Sequence, residues 1–243
     1  MIQTEGIFNG GSDIAAPIIG KDFNWTGGDG TYQVLDDGGE NWRIKFLSSG
    51  TFTPLRNVVI DAFLVGAGGC KGCTHCGAGG SGYTTTVRSI VLAANTAYQI
   101  TIGAAGINPT KAGTDGADGG TTSAFAASAL GGKGSLAGSS SARKPGADGG
   151  SGGGGVNISG VHVNSSTAAG GTDGEDGATA TTAGGTGQGT TTREFGETDG
   201  DLYASGGGDN LTATVPNSGN GGAYNVEPAD GIVVIRQHKE VAA

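Results

Sequence analysis

Residues 58–69 read Val58-Val59-Ile60-Asp61-Ala62-Phe63-Leu64-Val65-Gly66-Ala67-Gly68-Gly69, and the change of character at Gly66 decides the fold. The first eight residues are apolar on both faces apart from Asp61, as in a central sandwich strand. The glycines that follow offer a core no side chain and disfavour helix by about 1 kcal/mol each relative to alanine. One chain therefore combines an ordinary β core with backbone that must pack in some other way.

Working outward, Trp42, Ile44 and Phe46 alternate with Arg43 and Lys45, the period-two pattern of a half-buried strand. Tyr83 to Leu92 and Tyr98 to Ile102 predict two further strands, joined by Ala93-Ala94-Asn95-Thr96-Ala97 as a hairpin. Ser123 to Leu130 is a weaker, alanine-rich strand candidate, and Gly231 to Arg236 closes the core. Residues 1–40 carry turn signals and isolated apolar residues, which predicts an irregular docking segment with Trp25 packed on the core. The main domain is expected over 41–237, with a short tail at 238–243.

Glycine occupies 53 of 243 positions, about three times the usual share of roughly 7%. Most of it lies in an insertion at about 104–230, far too long for a plain connection. Gly113, Gly116 and Gly119 fall three apart, as do Gly146, Gly149, Gly152 and Gly155, and Gly171, Gly174 and Gly177. Three residues make one turn of a polyproline-II-type helix, in which a glycine edge lets neighbouring backbones approach and bond. The expected fold class is all-β: an antiparallel β-sandwich with a polyglycine-II-like helical bundle or loop insertion. Interrupted triplets and only six prolines exclude a collagen triple helix. A flexible glycine linker is the alternative, opposed by the apolar segments Val156-Asn157-Ile158 and Val161-His162-Val163.

The net charge is −9 with a pI near 4.6, and the basic residues are scattered singly except for Arg143-Lys144. This argues against a nucleic-acid partner, which needs a clustered basic face. No apolar run approaches the roughly 20 residues of a membrane span, so no membrane insertion is expected, and Met1 to Glu5 lack the regions of a secretory signal. Synthesis in the cytosol is the expectation that follows, with release only as part of a larger particle.

Cys70, Cys73, Cys76 and His75 form the one dense group of metal-ligand types. The set is incomplete, because Gly80 stands where a ferredoxin-type run has its fourth cysteine. In a polyglycine-type helix, cysteines three apart would also sit roughly 9 Å from one another, too far to share an ion. Buried thiols and no cofactor are expected, with a metal at these four residues as the alternative. The Asp-Gly pairs at 115–116, 118–119, 173–174 and 176–177 match no calcium-loop spacing and predict turns or solvated edges. No catalytic motif accompanies His75, His162 or His238, and the chain is not expected to be an enzyme.

The order of a strand ending Phe63-Leu64-Val65-Gly66-Ala67-Gly68-Gly69, then Gly80-Ser81-Gly82-Tyr83, a segment reaching Ile100-Thr101-Ile102-Gly103, glycine repeats and a closing Gly231-Ile232-Val233-Val234-Ile235 resembles the glycine-rich domain proteins of bacteriophage and prophage tail-fibre modules. The resemblance covers roughly residues 45–237 and implies a virion tail component. Similar tip adhesins present loops from a glycine scaffold to a bacterial cell-surface receptor. On that reading Tyr203 and Tyr224 are the candidate receptor-binding residues, since tyrosine gives contact area at low entropic cost. The implied partners are other virion and tail proteins, the receptor, and further copies of the chain as a homo-oligomer such as a trimer. A purely structural fibre spacer is the second reading, and an ice-binding protein of polyglycine type the third.

Overall fold

The computed structural model describes residues 16–38, 41–72, 75–158, 161–163, 176–177, 183–185, 192–208, 214–224 and 226–238. Two five-stranded antiparallel sheets face each other. One has the order β1 (Phe23–Trp25), β4 (Gly50–Pro54), β7 (Tyr98–Thr101), β8 (Thr122–Ala124) and β9 (Ala127–Ala129). The other runs β2 (Tyr32–Asp36), β3 (Trp42–Phe46), β12 (Ile232–Gln237), β5 (Val58–Val65) and β6 (Thr84–Leu92). Among the described residues, strands β10 (Val156–Ile158) and β11 (Val161–Val163) pair only with each other.

The core between the sheets holds Phe23, Trp25 and Phe52 from one side and Trp42, Ile44, Phe46, Leu64 and Ile235 from the other. The alternation read at Trp42 to Phe46 is that inward face. Strand β5 is apolar on both faces because its other side is covered too. Phe63 and Val65, with Ile232 and Val234 of β12, pack under Phe195, Tyr203 and Ala204 from the arm 192–204. The last strand enters at the centre of its sheet, between β3 and β5.

Three expectations change. The N-terminal segment is not wholly irregular: β1 and β2 extend one sheet each, and Trp25 is in the core as expected. Residues 84–101 do not form a hairpin, because β6 pairs with β5 and β7 with β4 and β8. Their connection crosses between sheets, held by Asn95 N–H donating to the Pro54 carbonyl and by Tyr98 Oη accepting from Ala93 N–H. Ser123 to Leu130 folds back on itself as β8 and β9, turning at Phe125 and Ala126, both in the left-handed region at φ 52° and 61°. A two-residue turn of this hand prefers Asn-Gly, yet Phe125 stays because its ring packs on Phe52 and Tyr98. Ala126→Gly removes one left-handed Cβ and is expected to stabilise the protein by about 1 kcal/mol in a denaturant titration.

A polyglycine helical insertion is not supported. The only helix among the described residues is a 3-10 turn at Glu194–Gly196, and the glycine stretches are extended segments cross-linked through their backbones. The segment after β5 lies among the others. Gly66 and Gly69 N–H donate to Tyr83 and Gly80, Ala67 and Cys70 to Gly120 and Ala117, and Gly68 to Ala229. Its carbonyls in turn accept from Gly132 at Ala67, Gly106 at Gly68, Gly222 at Gly69 and Ser135 at Cys70. Successive residues thus bond different neighbours, with the same neighbour recurring every third residue. A Cβ at Gly68 would overlap the Asn220 carbonyl, so the close approach itself requires glycine there. The packing therefore extends beyond the insertion expected at 104–230 and includes 66–82.

Candidate functional site

The glycine segments leave the sheets at Val65, Thr101 and Ala129 and return at Thr84 and Thr122, so their turning points gather away from the strands. There, Lys71 Nζ lies 5.9 Å from the centre of the Tyr224 ring. Cys70 Sγ donates to the Ile107 carbonyl (2.9 Å), and Asn108 Nδ2 to Glu227 Oε2 (2.6 Å). Ala137 N–H donates to Asp115 Oδ1 at 2.7 Å, which pins the neighbouring turn. The bonds at the Ile107 carbonyl and Ala137 N–H, with the reciprocal Ala223–Val226 backbone pair, fix the backbone while Ile107, Tyr224 and Leu136 remain 80%, 75% and 54% exposed. Fixed backbone with exposed apolar side chains is the arrangement of a contact surface whose ordering cost is already met.

The two tyrosines named from sequence part company. Tyr224 is exposed, whereas Tyr203 is only 8% exposed and packs on Phe63. Tyr203 Oη donates to Glu194 Oε1 at 2.7 Å and accepts from Lys45 Nζ at 3.0 Å. Tyr203 is therefore removed from the receptor-contact set: its ring seals the outer face of β5 and its hydroxyl completes a buried polar network. Burial, with the Glu194 charge beside it, pushes its phenol well above the usual range. Tyr203→Phe leaves Lys45 and Glu194 one partner short and is expected to cost about 1–2 kcal/mol, read by thermal or denaturant unfolding.

That network spans the outer face of β3, β12 and β5. Glu194, 2% exposed, accepts from Lys45 Nζ at 2.7 Å and from the Arg43 guanidinium. Arg43 also makes a two-point pair with Asp37, at 2.8 and 2.9 Å. Arg236 stacks on the Phe195 ring at 4.1 Å and bridges Glu197 and the fully buried Asp61. Burial alone would raise the Asp61 carboxyl, but bonds from His238, the Ser89 N–H and Arg236 outweigh it and hold it below the ordinary carboxylate range. Between the arm and the sheet lies a cavity of about 230 Å³ lined by members of this network. Sequence showed Asp61 as an exception in an apolar run; its partners lie up to 177 residues away and carry no local signal.

Ser89, His238 and Asp61 lie together, with His238 Nδ1 2.6 Å from Asp61 Oδ1 and Nε2 3.0 Å from Ser89 Oγ. Ser89 Oγ is also 3.5 Å from Nδ1. An oxygen on the lone-pair axis of one ring nitrogen stands much farther from the other. The hydroxyl thus sits on the flank of the imidazole, where the ring cannot take its proton, and these residues do not form a nucleophile–base pair in this geometry.

Of the candidate metal ligands, Cys73 lies outside the described residues. Cys70 and Cys76 are buried free thiols bonded to backbone, Cys76 Sγ to the Gly72 carbonyl at 2.9 Å. Burial pushes the Cys70 thiol up. His75 takes the left-handed conformation, φ 48°, and its carbonyl accepts from Lys144 N–H. Among the described residues no group of three His, Cys, Asp or Glu side chains is placed to hold a metal ion. Asp115 and Asp118 accept from the Ala137 and Gly134 N–H groups of the next segment.

A family model described as a glycine-rich domain matches residues 47–236. No curated protein matches the chain.

Proposed function

This chain belongs to the glycine-rich domain family, and we propose that within it the protein is a phage tail or tail-fibre component that recognises a bacterial surface receptor. The observation that carries this reading is the exposure of Ile107, Leu136 and Tyr224 on the glycine-rich segments, with Lys71 set against the Tyr224 ring. Backbone bonds whose partners recur every third residue tie together the extended segments behind it. Such a scaffold holds its turns still chiefly through backbone bonds, with only the small apolar cluster of Ala78, Ala223 and Val226 among the described residues, which leaves the turn side chains for recognition.

The test is binding of fluorescently labelled protein to a panel of bacterial strains, with a heat-denatured control. Saturable binding to a subset of strains is expected. Tyr224→Ala should weaken it by about tenfold or more, the range of an aromatic anchor at an interface, with unfolding midpoint unchanged. Binding to no strain in a panel that includes the host would favour a purely structural fibre spacer.

A further inference from the structure

We infer that the cavity between the arm 192–204 and the outer face of β3 and β12 is a binding site for a single neutral or amino-sugar residue. This deepens the receptor reading and rests on it. The cavity of about 230 Å³ corresponds to roughly eight waters at ~30 Å³ each, room for one pyranose ring. The charged residues lining it are Asp37, Arg43, Glu194, Glu197, Asp199, Asp201 and Arg236, with Asn41 and Gln237 among the others. The two guanidiniums are already engaged by carboxylates, Arg43 by Asp37 and Glu194 and Arg236 by Glu197 and Asp61. What the walls chiefly offer is therefore acceptor capacity, because each carboxylate oxygen takes more than one hydrogen bond.

A ligand made of hydroxyl or ammonium donors on a compact ring matches that lining. A ligand carrying carboxylate or phosphate does not, since five lining carboxylates face two guanidiniums. The geometry is also prearranged. Arg236 is fixed by stacking on Phe195, and Arg43 by bonds on both sides. Asp199 sits on the exposed turn between Glu197 and Gly200, closed by Gly200 N–H donating to the Glu197 carbonyl at 3.0 Å.

Saturation-transfer-difference NMR with the full chain, using glucose, galactose, mannose, glucosamine, N-acetylglucosamine and galacturonate separately, tests this. Transfer to at least one neutral or amino sugar is expected, with affinity in the millimolar range and no transfer to galacturonate. Asp199→Ala combined with Asp201→Asn should weaken it about tenfold, the loss of one or two bonds to charged acceptors, while loss of the Lys45 pair with the exposed Asp201 lowers the unfolding midpoint only slightly. Transfer to no sugar, equal transfer to galacturonate, or transfer untouched by the double variant would overturn the inference. Those failures are separable from failure of the receptor reading: cell binding lost in Tyr224→Ala but kept in the double variant would leave the turns as the recognition surface and remove the cavity from it.

Discussion

Asp61→Ala is expected to destabilise the protein by about 3–5 kcal/mol at neutral pH, the range for removing one partner of a buried ion pair. Asp61 is fully buried and accepts from Arg236 Nε at 3.2 Å, Ser89 N–H at 3.1 Å, His238 Nδ1 at 2.6 Å and Arg88 at 3.3 Å. Alanine leaves the Arg236 guanidinium, itself 8% exposed, with Glu197 as its remaining carboxylate partner. It also frees the bulge where the β5–β6 register shifts between Ile60 and Ala62. Asp61→Asn keeps the shape and part of the bonding, and should cost less. The pH dependence has a definite sign. Asp61 titrates lower in the folded than in the unfolded chain, so its stabilisation is fully present above the unfolded carboxylate pKa and is lost as pH falls through the folded value. Urea titrations of wild type and Asp61→Ala should therefore converge in acid and differ most near neutrality.

Gly79→Ala is the second large effect, about 3 kcal/mol, or a fall in Tm of about 10 °C for a domain of this size. Gly79 N–H donates to Gly222 at 2.8 Å and its carbonyl accepts from Gly207 N–H at 2.9 Å. A Cβ there would overlap the Gly69 carbonyl, and backbone on both sides leaves it nowhere to go. The contrast is Gly28, at φ +94° with nothing within 4 Å of an added Cβ. Gly28→Ala should cost only the left-handed strain of about 1–2 kcal/mol. If both substitutions cost the same, the glycine segments are not close-packed.

The elements legible in the sequence were those whose burial is written in their own period: Trp42 to Phe46, Val58 to Val65 and Ile232 to Gln237. Partner choice was not legible. Residues 84–101 alternate like a hairpin, but periodicity fixes a face and not a neighbour, and Leu92 enters the core where the chain changes sheet. The β8–β9 turn was hidden because Phe125 and Ala126 are not turn residues; aromatic packing overrides their preference. The glycine packing of 66–82 had a signal in Gly66, Gly69 and Gly72, three apart like the later triplets. For the candidate sites, residue type alone did not separate the exposed Tyr224 from the buried Tyr203. Exposure of a tyrosine depends on what the arm covers, and the arm is positioned by Phe195, Glu194 and Lys45 acting across about 150 residues of chain.

The central claim is that glycine backbone, bonded segment to segment, is a rigid scaffold for the turns at its ends. Native-state hydrogen exchange followed by NMR tests it most directly at the amides of Gly68, Gly69, Gly79, Gly80, Gly119 and Gly222, all donors to backbone carbonyls of other segments. The account predicts protection at these amides comparable to that of Phe63 and Val234 in the central strands, so that they exchange only with global unfolding. Exchange at the rate of an unstructured chain, with Phe63 and Val234 still protected, would contradict it.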